Sequence, residues 1–369
     1  MAERLLYAAS ATFESARRID GAVAGQRLRR LHGHSFQARL RSAIVPPARE
    51  AAAPLAPFRG AEIDALRERL QDCVAPLDYQ LLNEHLASPT DENLARWIRA
   101  RIGLDGTDTL GIQSTRCQGV DLDASDCAYL WKRYQFESAH RLPNVAPSHK
   151  CGRMHGHGFA VILHAEVTPG AQTIDGELLD RLWHPLQQLL HHACLNDIPG
   201  LENPTSERIA SWIWERIRPQ LPALRWVTVY ETATCGAHFD GASYRIWKEL
   251  GLDSAVRLQN APADDGRRRI HGHSYRLRLH LAAPLDMIYG WTIDFGDVQE
   301  LFAPIFARLD HQPLHELPDV ADAGTAAIVR WVRWQAAGSL PQLERIDLYE
   351  TPGCGVILSW GQELPALPV

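Results

Sequence analysis

The tripeptide His-Gly-His is written three times in this chain, beginning at His32, His155 and His271, at steps of 123 and 116 residues. A repeat of that period in a chain of 369 residues restricts the fold more than composition does, because each copy must build the same unit and the units must then fit one another. Further landmarks keep the same order. Phe13-Glu-Ser-Ala-Arg17, Phe136-Glu-Ser-Ala-His140 and Leu252-Asp-Ser-Ala-Val256 precede the triplets. Leu77-Asp78-Tyr79, Leu190-His191-His192 and Leu309-Asp310-His311 follow them, and Gln113-Ser114, Glu231-Thr232 and Glu350-Thr351 come later. The chain therefore reads as three tandem repeats, 1–124, 125–241 and 242–369.

Each repeat has the same local pattern. Behind the third triplet, Tyr275, Leu277, Leu279 and Leu281 alternate with Arg276, Arg278 and His280, the period of a half-buried strand. Asp294-Phe-Gly-Asp297 then caps a helix with Val298, Leu301, Phe302, Ile305 and Leu309 on one face. The pairs Leu94/Trp97, Ile209/Trp212 and Ile328/Trp331 stand three apart on a second helix, a spacing that packs both residues into a core. Asp240-Gly241 predicts a two-residue hairpin that joins the second repeat to the third. No Gly/Ser or Pro linker separates them, so three sheets welded edge to edge can close on themselves and lose their edges.

Chemistry concentrates in 136–159, where His140, Cys151, His155 and His157 fall together. His155 and His157 leave one face of a strand, and a partner strand carrying His140 supplies a third nitrogen. Three histidines without a fourth protein ligand describe an open zinc site, and Cys151 beside such a cation has a lowered thiolate pKa and accepts a proton. The net charge of −6 and the lack of a basic tail argue against a nucleic-acid partner. Arg267-Arg268-Arg269 reads as a solvated loop. No apolar window is long enough to cross a membrane, and no secretory leader is apparent; the expectation is a cytoplasmic protein without a membrane partner. Among seven cysteines, Cys117, Cys235 and Cys354 occupy matching places in the repeats, as packing residues rather than disulfide partners.

On these residues the chain resembles the 6-pyruvoyltetrahydropterin synthase and 6-carboxytetrahydropterin synthase family, three times over. The spacing Cys151 to His157 and the run Leu195-Asn-Asp-Ile-Pro-Gly-Leu-Glu-Asn-Pro-Thr205 are similar to the carboxytetrahydropterin branch, which serves queuosine biosynthesis. The resemblance implies an α+β class: three tunnelling (T-) folds forming a pseudo-trimeric 12-stranded antiparallel barrel, with helices outside and two chains pairing as a homodimer that rebuilds a hexamer. It implies Zn2+ on His140, His155 and His157, Cys151 as proton acceptor, an Asp-His relay from a neighbouring unit, and a glutamate that holds the pterin.

Carried over repeat by repeat, that pattern is nowhere complete. The first repeat has Arg17, Leu28, Tyr79 and Gln113 in place of histidine, cysteine, relay histidine and glutamate; the third has Val256 and Arg267 but keeps Asp310, His311 and Glu350. The second has the triad, Cys151 and Glu231, with His191 where the relay aspartate belongs, followed by His192. The expectation is one composite site, with metal and thiol from the second repeat and Asp310-His311 from the third across the joint, and with Glu231 and Glu350 both open as the pterin anchor. By the resemblance the substrate is 7,8-dihydroneopterin triphosphate and the product 6-carboxy-5,6,7,8-tetrahydropterin. The alternatives are the pyruvoyl reaction, which eliminates triphosphate and tautomerises, and a non-catalytic pterin-binding scaffold.

Overall fold

Alternating residues make strands, and the structure, a computed structural model describing residues 3–20, 28–43, 55–104, 107–167, 174–318, 320 and 324–361, carries fourteen of them. The first repeat contributes β1 (Arg4–Arg17), β2 (His32–Ser42), β3 (Gln80–Leu81), β4 (Thr107–Thr115) and β5 (Gln118–Leu122). The second contributes β6 (Ala128–His140), β7 (His155–Val167), β8 (Ala193–Cys194), β9 (Leu224–Thr232) and β10 (Cys235–Phe239). The third adds β11 (Tyr244–Val256), β12 (His271–Ala282), β13 (Leu343–Thr351) and β14 (Cys354–Ser359). Between the inner strands of each repeat run two helices: α1 (Glu62–Val74) and α2 (Asp91–Ile102), α3 (Gly176–Leu190) and α4 (Ser206–Ile217), α5 (Phe295–Phe306) and α6 (Thr325–Ala336).

The twelve long strands form one closed antiparallel ring in the order β1-β2-β4-β5-β6-β7-β9-β10-β11-β12-β13-β14, with β14 returning to β1 through the register Arg4↔Ser359 to Ala8↔Gly355. Closure satisfies every strand edge within the ring. The repeats meet at β5–β6, β10–β11 and β14–β1. The two-residue strands β3 and β8 lie parallel to β1 and β6; their third counterpart is the single bridge Ala255↔Pro313. The hairpin at Asp240 has a four-residue loop rather than the expected two, with Phe239 paired to Tyr244. The Asp240 carboxylate accepts from the amides of Ala242 and Ser243 at 2.9 and 2.7 Å, an Asx turn that takes up the two extra residues.

Helices cover the outside because their apolar stripes match the outward strand faces. Asp175 and Asp294 cap α3 and α5 by accepting from the amides of Leu178 and Gly296 at 2.8 and 2.6 Å. Leu179, Trp183, Leu186 and Leu190 of α3 and Val298, Phe302 and Ile305 of α5 are buried, each large side chain contributing about 1.5–3 kcal/mol. Leu301, expected on that face, is exposed, since it sits on the flank of the 298-302-305 stripe; Leu309 is buried beyond the helix end.

The other strand face lines the barrel interior, and here the half-buried reading of β12 is corrected. Tyr275, Leu277, Leu279 and Leu281 face the helices, but Arg278 and His280 are buried as well. Inside the closed ring Arg278 pairs with Glu249 at 2.9 Å, and Asp347 accepts from Arg345 at 2.6 and 2.8 Å and faces His280 at 3.2 Å. Trp131 and Trp247 fill the same interior.

Candidate active site

His140 ends β6 opposite His155, which opens β7. His157 follows one pleat on, so all three rings leave one side of the β6–β7 pair. One nitrogen from each lies within 4.8 Å of the others, and the Nε2 atoms of His140 and His157 approach to 3.2 Å. Each Nδ1 faces a main-chain carbonyl: Pro204 for His140 at 3.2 Å, Arg153 for His155 at 2.8 Å, and Gly158 for His157 at 3.3 Å. Carbonyls accept, so they fix the Nδ1–H tautomer and leave each Nε2 lone pair free, the outer-shell arrangement of ligating imidazoles. Burial, then His155, lowers the His140 pKa to about 4, and burial also lowers that of His157; the neutral rings are the ligating form. A three-nitrogen set of this kind fits an open zinc position.

Cys151 lies on the turn Lys150–Gly152, where its carbonyl accepts from the amide of Leu142 at 2.8 Å. Comparison with known proteins decides the family. The model of the 6-pyruvoyl tetrahydropterin synthase family matches residues 7–118, 129–242 and 245–359. The chain belongs to that family. A 6-carboxy-5,6,7,8-tetrahydropterin synthase of Synechocystis sp. is 38% identical over 119 residues, 30% of this chain and 91% of the relative. A dihydroneopterin monophosphate aldolase of Pyrococcus furiosus is 35% identical over 92 residues, 24% of this chain and 75% of the relative. The solved 6-pyruvoyl tetrahydropterin synthase of Caenorhabditis elegans is similar at 15% identity and a TM-score of 0.29, covering 32% of this chain and 95% of that one. The family and these relatives process pterins, and the family unit is present here three times in one barrel.

The three family units differ sharply at the triad position. In the first, the Arg17 guanidinium sits where a zinc ligand would be and bonds Asp91 at 2.7 Å and the Pro89 carbonyl at 2.9 Å; Ser114 donates to the same carboxylate at 2.6 Å. The guanidinium fills the position and has no lone pair to offer a metal, and its charge is balanced by Asp91. In the third, Val256 is buried, and Arg267, at the cysteine position, pairs with Asp265 and Asp64 at 2.7 and 2.8 Å. Arg267 is thereby part of an ion-pair group and not of a solvated run.

The structure separates the two candidate glutamates. Burial, then Glu207, pushes Glu231 up to about 7, and Glu231 is the strongest charged neighbour raising the Cys151 thiol. Glu350, also pushed up to about 7 by burial, accepts from Thr325 in the third unit among Asp64, Arg67 and Arg267. In the metal-free chain burial, Glu231 and Asp294 raise the Cys151 thiol pKa, and Lys150 opposes them.

Asp310 and His311 are a bonded couple, Nδ1 to Oδ2 at 2.9 Å, and the aspartate holds the exposed His311 pKa above its ordinary value. Yet the couple is anchored in its own unit. Asp310 accepts from the amide of Asp253 at 3.0 Å, His311 donates its amide to Asp253, and the groove beside it holds His271 and His273. Helix α5 runs between this couple and Asp294, about 18 Å for twelve residues, so the described contacts do not bring His311 to Cys151 within one chain. His192 stacks on His191 at 3.8 Å and lies 3.7 Å from Glu137; His191 accepts the Glu137 amide that an aspartate takes in the other units, at 3.1 Å. Tyr79, His192 and His311 share a left-handed backbone, φ 54, 58 and 56°, a strain kept in all three units.

What does cross the seam is the segment 286–294. The carbonyls of Ile288, Tyr289 and Gly290 accept from Asn144, Asn203 and Thr205, each at 2.6 Å. Thr292 donates its amide and hydroxyl to Glu207 at 2.8 and 3.1 Å, and Asp294 meets His149 at 3.3 Å. The only sequence signal for this role was Asp294 as a helix cap.

Proposed function

We propose that the chain is a zinc-dependent 6-carboxytetrahydropterin synthase, converting 7,8-dihydroneopterin triphosphate to 6-carboxy-5,6,7,8-tetrahydropterin at one site per chain, in the second of three repeats divided near residues 124 and 241. The observation that carries this reading is convergence in one repeat alone, among the described residues: the three imidazole nitrogens within 4.8 Å, with Cys151 on the turn Lys150–Gly152 that leads into β7. His140, His155 and His157 would hold the zinc, which would supply Lewis acidity towards the oxygens of the pterin side chain and so acidify the neighbouring carbon. Cys151 accepts a proton once that cation offsets its carboxylate neighbours. Glu231, ionised, accepts the paired N–H groups of the pterin head, and its raised pKa also lets it hold a proton near neutral pH. With one water consumed, the loss of acetaldehyde and triphosphate balances and is redox-neutral, so no oxidant or reductant is required.

The Asp310-His311 couple enters through pairing of two chains. His311 is 76% exposed at its side chain, and the equivalent residues Leu31, Met154 and Ile270 are exposed at 67, 54 and 65%, immediately before each His-Gly-His. An apolar set repeated on all three units supports a face where a second copy stacks, with each second repeat opposite the other chain's third. This homodimer is a pseudo-hexamer of family units.

Product analysis by mass spectrometry, with zinc counted per chain, tests the reading. One zinc and the 6-carboxy product are expected, with Cys151→Ala retaining zinc and losing turnover. A 6-pyruvoyl product reassigns the branch, and bound but unconverted pterin refutes catalysis. Mixing Cys151→Ala with His311→Ala chains restores activity if His311 serves the other chain's site. No restoration from two inactive variants overturns that pairing.

A further inference from the structure

Besides the residues already assigned, one connection ties the thiol of the second repeat to the third. The His149 Nδ1 accepts the backbone amide of Cys151 at 3.2 Å, capping the turn that carries the thiol. A nitrogen that accepts has no proton, so the proton sits on Nε2, which points at the Asp294 carboxylate 3.3 Å away. Asp294 in turn caps α5, and the Trp291 ring lies 5.9 Å from the imidazole. The chain of contacts runs from a helix terminus of one repeat, through one imidazole, to the main chain of Cys151 in another.

The third repeat supplies an internal control. Asp265 holds the place of His149 and caps its turn with the same bond, accepting from the Arg267 amide at 2.9 Å. Aspartate is among the best residues for that cap, and histidine is not among those preferred. A cap alone therefore does not account for His149. What histidine adds is a second nitrogen on the far side of the ring, long enough to reach the neighbouring repeat, and this is the repeat in which the cysteine is kept.

We propose that Asp294 and His149 are positioning residues for Cys151: Asp294 fixes the tautomer and orientation of His149, and His149 both caps the turn that presents the thiol and ties that turn to the third repeat. The site is then assembled only when the third repeat is docked. This rests on the reading of Cys151 as the proton acceptor, but its structural half does not depend on turnover.

The test uses Asp294→Asn, which still caps α5, and His149→Asn, which still caps the turn but is too short to reach residue 294. In the zinc-free full-length chain, Asp294→Asn is expected to speed amide hydrogen exchange at Cys151 about tenfold, whereas His149→Asn leaves it slow. In the zinc-loaded enzyme both substitutions lower kcat by roughly 10- to 100-fold with KM little changed, and the double variant is no worse than the poorer single one. Unchanged exchange at Cys151 in Asp294→Asn, or full kcat in His149→Asn, overturns the proposal. A wild-type chain that turns over no pterin while its exchange follows the prediction instead overturns the function and leaves the link standing.

Discussion

Glu231→Gln should stabilise the metal-free protein and silence it, and the size of the effect follows from its surroundings. Burial, with Glu207 and Asp294 nearby, moves the Glu231 pKa from 4.5 to about 7. Below pH 4.5 the group is protonated in both folded and unfolded chains and contributes nothing. As pH climbs from 4.5 towards 7 the unfolded chain ionises and the folded one resists, so stability is lost across that window and stays low above it. At about 1.36 kcal/mol per pKa unit, the cost at pH 8 is of order 3 kcal/mol, an upper figure because Glu207 shares the same burial. Glutamine is neutral throughout. Urea unfolding of zinc-free Glu231→Gln should match wild type at pH 4.5 and exceed it by about 2–3 kcal/mol at pH 8. Pterin turnover should fall at least about a hundredfold through loss of the charged acceptor. A stability difference that does not change with pH would refute the argument, as would a variant less stable than wild type at pH 8.

Other expectations follow from the same geometry. Arg17→Met strands the Asp91 carboxylate and should cost about 3–5 kcal/mol in denaturant unfolding, without changing zinc per chain. Asp347→Ala removes the acceptor of Arg345 inside the barrel and should cost a similar amount, read as a lower urea midpoint. His140→Ala should lower zinc affinity by well over tenfold in chelator competition. Gly241→Ala combines a φ of 94° with a Cβ that meets Trp214 at 2.5 Å and should destabilise by more than about 1 kcal/mol, measured by thermal unfolding.

The sequence alone determined the threefold plan, the cap of α5, most of its helix-facing stripe and the grouping of three histidines, because each depends on residues near one another in the chain or on a periodicity of 2 or 3.6. His155 and His157 had to share a strand face wherever that strand was placed. Closure of the ring decided what local pattern could not: Arg278 and His280 look like solvent-facing residues of β12 and become interior groups only because the other eleven strands of the ring complete the barrel around them. The glutamates of the second and third repeats were indistinguishable in sequence, and only three-dimensional neighbours, Cys151 for one and Thr325 for the other, separate them. The partner of the thiol was also beyond local reading. Sequence pointed to Asp310-His311 as the contribution of the third repeat, whereas the fold sends Asp294 across the seam, 145 residues from His149, through a contact that exists only once both repeats are folded and docked.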